Sequence, residues 1–196
     1  FDLIYARQGQ SLKGWEVELR QALDMAVDHL SLYQLTIEQG TAFGDRYNAG
    51  RLRDLPDEDL GADLFAMTQD ICGAAGMPAY EVSNHARDGA QSRHNLIYWR
   101  YGDYIGIGPG AHGRLTTNGN RWATECFSNP TRWLAEATTG KTEKPRPALS
   151  PRAPAQEFLL MGLRLKEGVS LNRYASLNGG PLDLGTIDEL CDIGMI

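Results

Sequence analysis

FDLIYARQGQSLKGWEVELRQALDMAVDHLSLYQLTI, Phe1 to Ile37, decides the fold. Phe1, Leu3, Ile4 and Tyr5 form a short apolar run broken by one carboxylate, Asp2, and a glycine-containing turn over residues 7–10 ends it. Ser11 is placed to cap a helix in which Trp15, Leu19, Ala22, Leu23, Ala26 and Val27 recur at the helical period. Leu30 to Ile37 is then a largely apolar run without a charge, the pattern of a parallel strand covered on both faces. After a loop over 40–56 the pattern repeats. A helix beginning near Asp57 carries Leu60, Leu64, Met67 and Ile71 on one stripe, Gly76 stops it, and Ala79 to Ser83 is the next strand. Strand, helix, strand, helix, strand predicts an α/β fold with a parallel sheet or barrel.

The next stretch, RHNLIYWRYGDYIGIGPGAHGR (Arg93 to Arg114), is of another kind: two histidines, three arginines, four Tyr or Trp rings and five glycines in 22 residues. Two readings compete: a strand-and-turn piece of aromatic core, or a site that holds a flat, anionic cofactor. Gly108 to Gly113 satisfies GxGxxG, but a dinucleotide site needs that motif to open a helix. The residues after it carry a hairpin signal instead, Asn118-Gly119 between strand-like runs, so the glycines serve close backbone approach. Residues 84–122 hold five arginines against two aspartates, inside a chain whose net charge is -6. Arginines suit carboxylates, flat aromatics suit a macrocycle and imidazole suits iron, which together fit a haem or porphyrin ligand. The alternative is that the aromatics fill core and that His94 and Asn95 tie a strand end.

Composition sets the outer bounds. With 42 % apolar and 22 % charged residues, the 196-residue chain is globular, and its acidity argues against general nucleic-acid binding. No apolar run reaches the ~20 residues of a membrane span, and no signal peptide is visible, so a cytoplasmic protein is expected. Cys72, Cys126 and Cys191 stand too far apart for a CxxC pair or a disulfide framework. Residues 141–153 are a Pro-rich, basic linker between a first part, 1–140, and a helical part, 154–196. In the latter, Ser170 caps one helix and Thr186 with Glu189 forms a capping box for another, as in the helical half of a winged helix. Its Asp188, Glu189 and Asp192 have the wrong sign for phosphate, so no DNA binding is expected there. Both ends read as cut, FDLIYA opening directly on a strand and IGMI closing on an apolar tail.

The runs RHNLIYWRYGDYIGIGPGAHG, EVSNHAR, SLYQLTIEQGTAF and EFLLMGLRL resemble the radical SAM proteins related to oxygen-independent coproporphyrinogen III oxidase, most closely the HemW branch of haem chaperones. The likeness covers nearly the whole chain, and His94 to Trp99 matches the HNxxYW motif that the family associates with haem. The resemblance implies the C-terminal part of a partial (β/α) radical SAM barrel followed by a small helical, winged-helix-like domain. It implies S-adenosylmethionine at the C-terminal ends of the strands, beside a 4Fe-4S cluster on a CxxxCxxC loop that this chain lacks. By position, Asp2, Thr36 and His112 would meet S-adenosylmethionine. Arg93, His94, Asn95, Tyr98, Trp99 and Arg100 would meet haem, with the arginines on its propionates and His94 as the axial ligand. The implied task is delivery of haem to acceptor proteins, respiratory ones foremost, with peripheral membrane association left open. The alternatives are the radical decarboxylation of coproporphyrinogen and a non-catalytic interaction module. Without the cluster cysteines, this chain alone is expected to be catalytically silent.

Overall fold

The computed structural model describes residues 1–146 and 149–195 and divides into two compact units, Phe1–Ser92 and Arg93–Ile196. In the first unit β1 (Asp2–Tyr5) and β2 (His29–Gln34) run parallel, Asp2 opposite Ser31 and Tyr5 opposite Gln34, joined by α1 (Leu12–Met25). Ser11 caps α1 as expected, its hydroxyl accepting from the Gly14 N–H at 3.1 Å. The expected loop holds a further helix, α2 (Ala42–Asn48), capped by Thr41. An internal glycine masks it in the sequence. Gly44 is needed there, because a Cβ would lie 2.2 Å from the Glu38 carbonyl oxygen. α3 (Glu58–Ala74) begins on the Asp57 cap and ends at Gly76, whose φ is +73°. α1 and α3 pack Trp15, Leu19, Leu64 and Cys72 into one cluster with Tyr5, Leu30 and Leu32 of the sheet. Within it Trp15 stacks on Tyr5 at 5.3 Å and donates its indole N–H to Thr68 Oγ1 at 2.8 Å.

The third strand departs from the expected parallel one. Ala79 to Ser83 splits into β3 (Ala79–Glu81) and a return strand, β4 (Asn84–Ala86), which inserts antiparallel to both neighbours and gives the order β1-β2-β4-β3. The reversal is held by the Glu81 carboxylate, which accepts from the Ser83 N–H at 2.8 Å and from the Asn84 side-chain amide. Asn84 Oδ1 in turn accepts from Ser31 Oγ at 2.8 Å. β2 is buried only over Leu30 to Leu32, and Tyr33 and Gln34 emerge into solvent, so the double cover expected up to Ile37 stops early.

His85 lies at the centre of this sheet with 0 % exposure, and among the described residues neither ring nitrogen has a partner within full hydrogen-bond geometry, the Met77 backbone being the nearest approach. Burial holds its imidazole below the ordinary range, offset only in part by the Met77 backbone and Glu81, and burial does the same to His29. A lowered folded-state pKa means that the unfolded chain takes up protons first, below about 6.5, so this unit loses stability as pH falls through that value. The urea midpoint is expected to drop between pH 7.5 and pH 5.5. His85→Phe is expected to raise the midpoint at pH 7.5 and flatten the drop, since it removes two orphaned polar atoms. An unaltered pH profile in that variant would exclude His85 as the cause.

The second unit starts with a correction. Arg93 to Trp99 is not a strand but α4 (Arg93–Trp99), closed by Tyr101 in the left-handed region at φ 56° and by a Gly102 N–H to Ile97 O bond of 2.7 Å. Aromatic and β-branched residues suggested extension; the local closing bonds win. β5 (His112–Thr117) and β6 (Asn120–Glu125) form the expected hairpin, with Asn118 at φ 52° and Gly119 at φ 77°, both positive as a type I′ turn requires. The glycine run permits close packing: a Cβ on Gly106 would lie 2.3 Å from the His112 carbonyl oxygen. α5 (Pro130–Ala137) comes next on an Asn129 cap with Pro130 in its first turn, a helix-start signal that the sequence carries and that the expected layout left out.

The expected linker runs extended at first. Cys126 bridges Glu143, and the Lys144 N–H donates to Glu125 O at 2.8 Å; Pro147 and Ala148 lie outside the described residues. Beyond it come α6 (Ala153–Gly162), α7 (Leu171–Asn178) on the expected Ser170 cap, and α8 (Leu184–Asp192). Asp183, not Thr186, caps α8, accepting from the Gly185 N–H and the Thr186 hydroxyl. The compact units meet at Ser92 rather than at the expected linker, 141–153, and within the second unit ion pairs tie the late helices to earlier residues. Arg114 grips Glu157 with two bonds of 3.0 and 2.8 Å, the Tyr101 hydroxyl donates to the same carboxylate at 3.0 Å, and Arg100 holds Glu167 with two bonds of 2.8 Å.

Candidate functional site

Helical spacing sorts the HNLIYW residues onto two faces. His94 and Tyr98, four apart, share the outer one: Nε2 and Oη are 3.0 Å apart, with the rings edge-on at 4.7 Å. Tyr104, from the turn after α4, adds a third ring at 4.2 Å from Tyr98. Burial pushes the Tyr104 hydroxyl above its ordinary pKa, against the pull of Arg114. Asn95 and Trp99 share the other face and are half-buried. There the Arg164 guanidinium covers the Trp99 ring at 4.5 Å, and the Trp99 indole nitrogen is buried without a hydrogen-bond partner among the described residues.

The two arginines expected to meet propionates differ. Arg100 is spent on Glu167, the bidentate pair raising its pKa, whereas Arg93 is exposed and makes no hydrogen bond or ion pair among the described residues. The structure therefore gathers His94, Tyr98 and Tyr104, leaves Arg93 beside them in the chain, and turns Trp99 and Arg100 to partners within the protein. Tyr104 has no role of its own in the sequence pattern. Nothing in its spacing ties it to Tyr98, since a turn, not a repeat, joins them.

The positions expected to meet S-adenosylmethionine are also unequal. Asp2 begins β1 and Thr36 lies two residues past the end of β2, so in this parallel pair they occupy opposite ends of the sheet. The carboxyl ends face a cleft of about 550 Å³ lined by Ala6, Gln34, Leu35, Ile37, Tyr47 and Asp57 among others, on either side of Thr36 in sequence. Ligands of open α/β sheets bind outside those ends. Ala6 at the mouth has φ 57°, a conformation L residues seldom adopt. His112, exposed at the start of β5, belongs to the other unit. The cysteines do not fit a cluster: Cys72 and Cys126 are buried and Cys191 exposed, burial pushes the Cys72 thiol up to about 12, and no metal-holding group of His, Cys, Asp or Glu is gathered among the described residues.

The comparisons agree with this architecture, although no family model matches. A solved structure of Escherichia coli coproporphyrinogen III oxidase, HemN, described as a radical SAM enzyme, matches with a TM-score of 0.67 at 15 % identity, over 91 % of this chain and 43 % of that one. The fold is accordingly that of the radical SAM class: part of its barrel, with helices beyond. The chain is 37 % identical over 174 residues to the mitochondrial radical S-adenosyl methionine domain-containing protein 1 of Danio rerio, covering 86 % of this chain and 39 % of that protein. It is 48 % identical over 115 residues to the heme chaperone HemW of Escherichia coli, 59 % and 29 % of the two chains. To the heme chaperone HemW of Bacillus subtilis it is 32 % identical over 200 residues, 100 % and 51 %. The chain is thus similar to part of these HemW-like radical SAM proteins, and it spans about half or less of the length of these curated relatives.

Proposed function

We propose that the protein of which this sequence is part binds haem on the outer face of α4 and hands it to haem-accepting proteins. The observation that carries the reading is the cluster of exposed His94 with half-buried Tyr98 and Tyr104 within and just after the HNLIYW segment, with the Arg93 cation, which has no ion-pair partner among the described residues, next in the chain. Clustered rings give an apolar macrocycle a flat surface, and a free guanidinium suits a propionate. Haem would supply a ferric or ferrous centre; the chain supplies the oxygen and nitrogen donors, the ring surface and the cation. The exposed Ile105 and Ile107, at 69 % and 82 %, come directly after Tyr104 and extend the apolar surface of that loop.

S-adenosylmethionine belongs in the same reading, at the carboxyl ends of β1 and β2. The cleft lined by Gln34, Leu35 and Ile37 supports that placement; Thr36 lies between its lining residues without lining it, and Asp2 sits at the opposite end of the strands. A 4Fe-4S cluster would depend on ligands that these residues do not provide. Respiratory haem proteins are the proposed acceptors. No helix among the described residues is long and apolar enough to cross a membrane, and acceptors in a membrane would be met from its surface.

Titration of ferric haem into the chain tests the site. We expect a saturable Soret shift at one haem per chain, weakened several-fold by Arg93→Ala and left as it was by His85→Phe. No saturable shift would remove the haem reading.

A further inference from the structure

We propose that Tyr98, rather than His94, is the iron ligand of this face, with His94 as its proton acceptor and positioning residue. The inference rests on the haem reading above and goes further in assigning the donor atom. Tyr98 Oη and His94 Nε2 lie 3.0 Å apart, which engages the imidazole in one of two tautomers. If the hydroxyl donates to Nε2, the Nε2 lone pair is occupied and Nδ1 carries the other proton, so neither nitrogen is free to bind iron. If Nε2–H donates to Oη, only Nδ1, next to the backbone, is left. The phenol oxygen has two lone pairs and keeps one free in either case. It is therefore the donor that can meet a metal while its neighbour stays in place.

The surroundings hold that oxygen where it is. His94 packs edge-on against the Tyr98 ring from one turn earlier, and Tyr104 packs edge-on at 4.2 Å from the loop after α4. The ring is thus oriented by two contacts, whereas His94 is exposed and has Tyr98 as its one ring neighbour among the described residues. Tyr104 is the other phenol of the cluster, and burial keeps its hydroxyl protonated more firmly than in water.

The step is balanced. As ferric iron takes the Tyr98 oxygen, the phenol O–H breaks and its proton passes to His94 Nε2; the imidazolium formed then donates back to the ligated oxygen. One Fe–O bond forms, one proton moves across the 3.0 Å contact, and no electron is exchanged. A partner that orients a ligand typically contributes about 10- to 100-fold to metal affinity, which sets the size of effect His94 should show.

The experiment compares ferric haem binding by the 196-residue chain with that of Tyr98→Phe, His94→Ala and Tyr104→Phe, read by absorbance and resonance Raman. The parent should show a phenolate-to-iron charge-transfer band and an Fe–O stretch. Tyr98→Phe should lose both while circular dichroism shows it folded. His94→Ala should keep the phenolate signature and bind about tenfold more weakly, and Tyr104→Phe should keep the signature. If His94→Ala abolishes the parental spectrum and Tyr98→Phe keeps it, the ligand is His94: the proposal falls and the haem site stands. If the parent binds no haem at all, both fall together.

Discussion

Trp15→Ala is expected to destabilise the Phe1–Ser92 unit by about 3–5 kcal/mol, the cost of emptying a large aromatic site in a packed core. The indole is wholly buried between α1, α3 and β1, and three things are lost together: its volume, the 5.3 Å stack on Tyr5 and the bond to Thr68. Thr68 would not be orphaned, because its hydroxyl also donates to the Leu64 carbonyl at 2.7 Å, so the loss is chiefly one of packing. Trp15→Phe keeps most of the ring contact and should cost about half as much or less. Small domains hold only about 5–15 kcal/mol in all, so Trp15→Ala should remove a large share of this unit's stability and lower its thermal midpoint. Urea denaturation followed by far-ultraviolet circular dichroism measures it. A change below about 1 kcal/mol would show that the α1–α3 cluster is not the core of the unit.

The second large effect belongs to Glu157. It accepts both Arg114 bonds and the Tyr101 hydroxyl, so Glu157→Ala strands a cation and a phenol at once. The Arg114 and Glu157 side chains are 22 % and 21 % exposed, so water screens part of the loss, and about 2–3 kcal/mol is expected against the roughly 3–5 of a fully buried pair. Glu167→Ala, which breaks the Arg100 pair at 52 % and 51 % exposure, is the control and should cost under about 1 kcal/mol. Burial pushes the Glu157 carboxyl up, but Arg114, Tyr101 and Arg121 together bring it below its ordinary value. A carboxylate with a lowered folded-state pKa stabilises above its unfolded value of about 4.3 and loses that contribution as pH falls through the folded one. Part of the acid sensitivity of this unit below pH ~4 should therefore disappear in Glu157→Ala.

These two residues also mark what the sequence discloses and what it hides. Trp15 is legible because helical periodicity alone places it on the stripe with Leu19 and Ala22. The caps at Ser11, Asp57 and Ser170 and the Asn118-Gly119 turn are legible for a related reason: each signal is local, and each is a backbone donor or a φ sign satisfied within a few residues. Glu157 is opaque because its partners are 43 and 56 residues away. β4 is easily misread because its reversal depends on a Glu81–Asn84–Ser31 network that includes a residue from another strand. In the candidate site, the identity of the motif is visible in the sequence and its conformation is not. Read as a strand, His94 and Tyr98 fall on one side along with Leu96; only as a helix do they meet without it.

The sheet order has a consequence for how the chain behaves in bulk solution. β1 ends the sheet, and among the described residues no strand pairs with its other side, while Phe1 just before it and Ile4 within it are 52 % and 46 % exposed. An open strand edge with apolar side chains is a template for further strands, including those of neighbouring molecules. What opposes such pairing is the net charge of -6, a long-range repulsion that works while carboxylates are ionised and salt is low. Near the isoelectric point of about 5.2 that barrier vanishes and the edge does not. Concentrated stocks of this chain are therefore colloidally secure at low salt and at pH well above about 5.2.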